Sequence, residues 1–288
     1  MLTSPRWEAR KEFPPSLLRM FEANYPSWSI HLTNSTGSAA IFSSPTVTSL
    51  TAKFYQGELV RDETALPNIQ STIQNSKNLK RLHLCVGVSG CVQYSYSTEF
   101  SENGGTFPPL EELVLEWFWI NQRCGEYWMK AMDWSHLRVL DFREGSLSTA
   151  FLSLLLPTAD KLPALESLRI TLPFFREEEL RKQKDDPNSP FSLIRQLFST
   201  ARPRSLRDVR IWGYSKLFLP DIINHRGESL KSLSLHEEEM LSEDNQRIPL
   251  SVGDLMEIGT TSKGLEALAL DVNISKEHAW VYVYPSGF

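Results

Sequence analysis

The apolar positions of this chain follow a recurring L-x-x-L-x-L spacing. It fits LKRLHL from Leu79, LEELVL from Leu110, LRVLDF from Leu137, LESLRI from Leu165, LRDVRI from Leu206, LKSLSL from Leu230 and LEALAL from Leu265. A weaker copy, VTSLTA from Val47, precedes these, and SWSIHL from Ser27 is the earliest candidate. Successive side chains of a strand point to opposite faces, so the fourth and sixth positions of the motif face a core and the third and fifth face outward. Leu168 and Ile170 are therefore core positions, and Ser167 and Arg169 are surface positions. One such strand cannot bury its apolar face alone. Stacked copies can, as a parallel sheet in which each repeat touches mainly its neighbours.

Parallel strands need a crossover, and the segments between the motifs read as helices. In SPFSLIRQLFST, Ser189 suits the cap, Pro190 the first helical position, and Leu193, Ile194, Leu197 and Phe198 share one face. In SVGDLMEIG, Ser251 and Asp254 have capping-box spacing, Leu255 and Ile258 face the core, and Gly259 is expected to end the helix. Similar helices are expected at PPSLLRMFEA, LPNIQSTIQ, YWMKAM, LSTAFLSLL and LPDIINH. Motif starts from Val47 onward lie 32, 31, 27, 28, 41, 24 and 35 residues apart, mostly above the usual leucine-rich range of about 20 to 29. Insertions must account for the excess. The charged stretch Arg176 to Pro190 and the Gly- and Ser-rich stretch Gly87 to Gly105 are expected as exposed loops, and His236 to Asn245 likewise. The expected fold is α/β: an irregular leucine-rich-repeat solenoid, with a parallel sheet on the concave face and helices and loops on the convex face. It is expected to form a single domain over residues 1–288, with repeats over about 14–272, a charged insertion at 176–190 and a C-terminal strand or tail at 273–288. In that last segment Trp280, Tyr282 and Tyr284 alternate with Val281 and Val283.

Composition narrows the chemistry. At 288 residues with 41% hydrophobic residues the chain buries a sizeable core without a metal or disulfide staple. A net charge of −5 supplies no basic field for a phosphate backbone, so nucleic acid is not an expected partner. Cys85, Cys91 and Cys124 are odd in number and lack C-x-x-C spacing, which suits reduced thiols in the cytoplasm or nucleus and argues against a zinc site. The start is charged where a signal peptide is apolar, and no run of about 18 apolar residues occurs, so no membrane association is expected. The two Asn-x-Ser/Thr sequons, at Asn34 and Asn273, are then read as chance matches. GVSGC, Gly87 to Cys91, misses a nucleophile elbow by one glycine. No phosphate-binding or metalloprotease motif occurs, and no enzyme activity, cofactor or metal is expected.

A solenoid binds through its exposed strand face, which directs attention to the outward columns. The candidate protein-binding surface is Arg81, His83, Glu112, Asp141, Arg143, Arg169, Arg210, Trp212 and His236. Acidic and basic residues mix there, and the cluster Arg143, Arg169, Arg210 and Trp212 carries the residue types enriched at protein interfaces. His83 and His236 are read as surface residues. In EWFWI, Trp117 and Trp119 cannot both face inward if the strand continues, while the aromatics of EWFWI and RIWGY as a group suit core packing at turns.

The pieces PPSLLRMFEANYPSWSIHL, EYWMKAMDWSHLRVLDF, DIINHRGESLKSLSLHE and GDLMEIGTTSKGLEALAL resemble the leucine-rich region of fungal F-box-like proteins. The likeness covers most of residues 14–272. It rests chiefly on MDWSHLRVLDF and HRGESLKSLSLHE, because the bare L-x-x-L-x-L occurs in any leucine-rich repeat. The resemblance implies a substrate-recognition module of a ubiquitin-ligase adaptor, which holds an unidentified protein partner on its repeats. The alternative is a truncated or degenerate repeat protein without a ligase role. No F-box segment is recognised before the first repeat, so cullin-type components are expected partners only if an F-box exists outside this chain. The asparagine of the typical repeat is mostly replaced, with Gly145, Tyr214 and Glu238 at comparable places, so irregular turns are expected.

Overall fold

The computed structural model describes residues 6–8, 14–25, 30–33, 44–55, 65–87, 105–173, 175, 177–200, 205–237, 250–272 and 279–283. It is an α/β structure of two compact units, Met1–Val139 and Leu140–Phe288.

In the first unit the strands β1 (Arg6–Glu8), β2 (Ile30–Thr33), β3 (Val47–Tyr55), β4 (Arg81–Gly87) and β5 (Glu112–Glu116) lie in chain order, each parallel to the next. The helices α1 (Pro15–Asn24), α2 (Ala65–Asn75) and α3 (Gln122–Ala131) connect or follow them. Strand β1 has no counterpart among the sequence expectations: RWE is too short to carry a pattern. Helix α3 starts before the expected YWMKAM because Asn121 caps it, its side-chain oxygen accepting from the Cys124 N–H at 2.8 Å. Phe107, Phe118 and Trp128 pack as an aromatic cluster beneath it, with Trp128 edge-on to Phe107 at 5.2 Å.

The second unit orders β6 (Val139–Phe142), β7 (Ser167–Thr171), β8 (Asp208–Trp212), β9 (Ser232–His236), β10 (Ala267–Val272) and β11 (Ala279–Val283). Strands β7 to β10 pair parallel, and β11 runs antiparallel to β10 from Leu268↔Val283 to Val272↔Ala279. The C-terminal segment thus contains a strand beside LEALAL. Helices α4 (Thr149–Leu155), α5 (Glu177–Asp185), α6 (Pro190–Thr200), α7 (Leu219–Arg226) and α8 (Val252–Thr261) complete the unit. No helix among the described residues is long and apolar enough to cross a membrane.

Every strand from β4 to β10 begins at the third position of its motif. The fourth and sixth positions are buried in β3 (Leu50, Ala52), β4 (Leu82, Leu84), β5 (Leu113, Leu115), β6 (Leu140, Phe142), β7 (Leu168, Ile170), β8 (Val209, Ile211) and β9 (Leu233, Leu235). The first-position leucines from Leu79 to Leu230 are buried as well. Helix residues, Phe151, Leu152, Ile194, Leu197, Phe198, Ile222, Ile223 and Ile258 among them, add to the second unit's core.

Hydrogen bonding at the motif's second position repeats from copy to copy. The Lys80 carbonyl accepts the N–H groups of Glu111 and Glu112 at 2.7 and 2.9 Å, and the Glu111 carbonyl accepts those of Arg138 and Val139. Glu166 does the same for Arg207 and Asp208, Arg207 for Lys231 and Ser232, and Lys231 for Glu266 and Ala267. One carbonyl thus holds two donors of the next repeat and fixes the register before either strand begins.

Several local expectations change. The charged stretch after Arg176 is helical, as α5, although most of its described side chains are solvated. Its composition of Glu, Leu, Arg, Lys and Gln favours helix, and glutamates at the start with Lys182 and Lys184 in the last turn oppose the helix dipole. The capping box of α8 forms, Ser251 accepting from the Asp254 N–H and Asp254 from the Ser251 N–H. The helix then runs through Gly259 to Thr261, since one glycine costs only about 1 kcal/mol within a helix. Most of the Gly87 to Gly105 stretch, and of His236 to Asn245, lies outside the described residues.

The alternation makes a direct test. Leu168 is buried on β7, so Leu168→Ala should lower unfolding free energy by about 2–5 kcal/mol in urea or guanidinium melts. A loss below about 1 kcal/mol would place its side chain outside the core.

Candidate protein-binding face

In the second unit the outward columns assemble into one line of alternating charge. Arg143 Nε lies 3.2 Å from Asp141 Oδ2, and Arg169 Nη1 reaches the same oxygen at 3.8 Å. Arg169 Nη2 lies 3.6 Å from Asp208 Oδ2, and Arg210 Nε lies 3.3 Å from Asp208 Oδ1. Strand register produces the order, because Arg169 and Arg210 are opposite one another on β7 and β8, as are Ser167 and Asp208. Three guanidinium groups and two carboxylates thus share one line. Asp141 is not the surface residue its column position implies: its side chain is only 6% exposed, overlaid by the two arginines it joins.

Asp208 is fixed more tightly than its ion pairs alone require. The Ser167 hydroxyl donates to its Oδ2 at 2.7 Å. Burial pushes the Asp208 carboxyl up, but hydrogen bonds from Ser167 and Ser232 and the Arg210 guanidinium outweigh that and hold it below the ordinary carboxylate value.

Beside this line stands Trp212, 48% exposed at the end of β8. Its ring lies 3.9 Å from that of His236, the residue opposite it on β9, at an interplanar angle of 68°. His236 is a buried support and not an exposed contact. Its side chain is 6% exposed, with Nδ1 2.9 Å from the Asp271 carboxylate on β10. Asp271 also accepts the Glu237 N–H at 2.8 Å, so the histidine is held from a third strand. Glu237 in turn accepts from the Ser215 hydroxyl and the Lys216 N–H, which ties the turn after β8 to the end of β9.

That turn carries an aromatic residue in a left-handed conformation. Tyr214 adopts a left-handed backbone, φ 50°, and its hydroxyl donates to the Phe175 carbonyl and accepts the Phe175 N–H, both at 2.7 Å. Phe175, Phe191, Tyr214 and Phe218 pack together, with Phe191 and Phe218 stacked at 5.6 Å. The aromatics of RIWGY therefore divide, Tyr214 packing inward and Trp212 facing solvent.

In the first unit Arg81 is exposed, and Glu112 and His83 are half-buried on β4 and β5. His83 Nε2 lies 3.0 Å from Glu116 Oε2. Cys85, two residues along β4, is buried, and its thiol, the His83 imidazole and the Glu116 carboxylate have donor atoms within 4.8 Å of one another. The sequence reading missed this group because it sought metal ligands close together along the chain. The signal was present in the columns, where Cys85 and Glu116 fall in the same place of successive repeats. Phe118 and Ile120 are buried after β5, and Trp117 and Trp119 are both partly exposed. Positions 117 and 119 share the inward side of Leu113 and Leu115, so continued alternation would have sent both tryptophans inward, contrary to the expectation that one must face out; Trp117, at φ 54°, ends the alternation and leaves both partly exposed.

The depressed Asp208 carboxyl predicts an acid dependence. Below-ordinary folded pKa adds stability above the unfolded value of about 3.9, and that stability is lost as pH falls through the folded value. Stability measured from pH 6 downward should therefore decline less steeply below about pH 4 in Asp208→Asn than in the wild type. Equal slopes would mean that Ser167, Ser232 and Arg210 do not hold the carboxylate.

No protein-family model matches the chain, and no curated protein matches it.

Proposed function

We propose that this chain is a leucine-rich-repeat solenoid that binds another protein through the strand face of its second unit. The observation that carries the reading is Trp212, a large aromatic side chain exposed on a strand and braced from behind by the His236–Asp271 pair. A partly exposed tryptophan beside arginines is the composition from which interface anchors are built, and a rigid support lowers the ordering cost of binding. Arg143, Arg169 and Arg210 lie on the same face, joined to one another through Asp141 and Asp208. A partner presenting an apolar pocket for the indole, rimmed by polar groups able to pair with the arginines, fits that pattern.

The resemblance to fungal F-box-like repeats supports a more specific role, recognition of a ubiquitin-ligase substrate. Its weight rests on MDWSHLRVLDF and HRGESLKSLSLHE. In the first, Asp133 caps the short helical turn at Trp134–His136 and Trp134 is buried, so the segment shapes the approach to β6. In the second, Gly227 lies where an added Cβ would come within 2.7 Å of the Ile223 carbonyl oxygen, so this glycine allows α7 to close tightly before β9. Both segments are architectural, and the partner is chosen by the strand face.

Proximity labelling with the full chain, followed by affinity measurement on the recovered partner, tests the reading. Trp212→Ala should weaken binding by about 2 kcal/mol or more, roughly thirtyfold, as expected for a central anchor. An unchanged affinity removes Trp212 from the interface. Recovery of adaptor and cullin subunits supports the ligase role, whereas partner binding without them favours an interaction module of another kind.

A further inference from the structure

We propose that His83, Cys85 and Glu116, in the first unit, form a binding site for a divalent transition-metal ion of the zinc class. The three side chains come from adjacent parallel strands. His83 and Cys85 are two residues apart on β4 and so point to the same side, and the register sets Glu116 of β5 opposite Cys85. Their donor atoms, one imidazole nitrogen, one sulfur and one carboxylate oxygen, all lie within 4.8 Å of one another.

The spacing suits a shared ion. Nitrogen and oxygen ligands each about 2.0–2.1 Å from a tetrahedral zinc stand roughly 3.3 Å apart, and sulfur at about 2.3 Å stands roughly 3.5 Å from either. His83 Nε2 and Glu116 Oε2 are 3.0 Å apart, already close to that separation. The thiol needs to approach by no more than about 1.3 Å, a side-chain adjustment on a backbone that need not move. β4 is held between β3 and β5, paired along both edges, so the scaffold of the site exists before an ion arrives.

The donor set selects the ion. A thiolate, a neutral imidazole and a carboxylate together bring two negative charges, which a dication neutralises. Sulfur disfavours magnesium and calcium, and the mixture of nitrogen, sulfur and oxygen suits zinc and its neighbours in the transition series. Cys85 is buried, whereas the His83 and Glu116 side chains are 20% and 30% exposed. The thiolate thus sits at the floor and the other two ligands at the rim, which leaves a fourth position toward solvent for water or for a donor from a bound molecule.

The test uses the full chain, treated with a chelator, dialysed, and titrated with Zn²⁺ by calorimetry and with Co²⁺ by absorbance. The expected result is one ion per chain, and a sulfur-to-cobalt charge-transfer band that disappears in Cys85→Ser. His83→Ala and Glu116→Gln should each weaken Zn²⁺ binding by at least about tenfold. Circular dichroism checks that each variant folds. Should Cys85→Ser fail to fold, Glu116→Gln decides, because its carboxylate lies at the rim and the substitution keeps its size. The proposal is overturned if no stoichiometric ion binds, if the cobalt band persists in folded Cys85→Ser, or if Glu116→Gln binds Zn²⁺ as the wild type does.

Discussion

One backbone carbonyl, repeated in five copies of the motif, governs how the strands are placed. At the second position, in Lys80, Glu111, Glu166, Arg207 and Lys231, this oxygen accepts two N–H groups from the following copy, and the strand starts at the very next residue. A slip of one residue would break both hydrogen bonds and turn the apolar face of the strand to solvent. From β3 to β5 and from β7 to β10 neighbouring strands lie at zero offset, third position against third and fifth against fifth, as in Ser167↔Asp208 and Arg169↔Arg210. Burial of the fourth and sixth positions then follows on one face. The other face becomes a grid in which residues distant in sequence occupy adjoining places.

That grid explains what sequence reading recovers and what it misses. The strands were legible because one signal, apolar residues at the fourth and sixth positions, recurs where each repeat must bury them. Caps were legible for the same reason of locality: Ser251 and Asp254 are three residues apart, and Ser189 accepts from the Ser192 N–H. Charge burial was not. Asp141 and His236 occupy positions that face outward on an isolated strand, and they are buried by Arg169 one strand away and by Trp212 and Asp271 on either side. Helix α5 was missed for the opposite reason, since a charged stretch has no apolar periodicity and its helicity rests on intrinsic preference.

The protein-binding reading and the metal proposal have a common physical origin. In-register stacking converts a residue type repeated at the same motif position into a contiguous cluster, whether arginines that alternate with aspartates or a cysteine that meets a glutamate. Neither cluster requires a dedicated loop. Each depends on rigid strands, which supply the preorganisation that functional groups need. Substitution at a single outward position therefore changes surface chemistry while leaving the leucine framework intact.

Strand β11 runs against the direction of β10, and this decides what the edge of β10 can accept. Between parallel neighbours a further parallel strand with its crossover helix can be accommodated, because the hydrogen-bonding pattern offered on one side matches that demanded on the other. Within either unit such an insertion conserves polarity. At the edge of β10 it does not, because a parallel newcomer would have to displace β11 and replace paired, perpendicular bonds with slanted ones. The reversed strand thus closes that edge of β10 to a parallel neighbour, a place already taken by five residue pairs from Leu268↔Val283 to Val272↔Ala279.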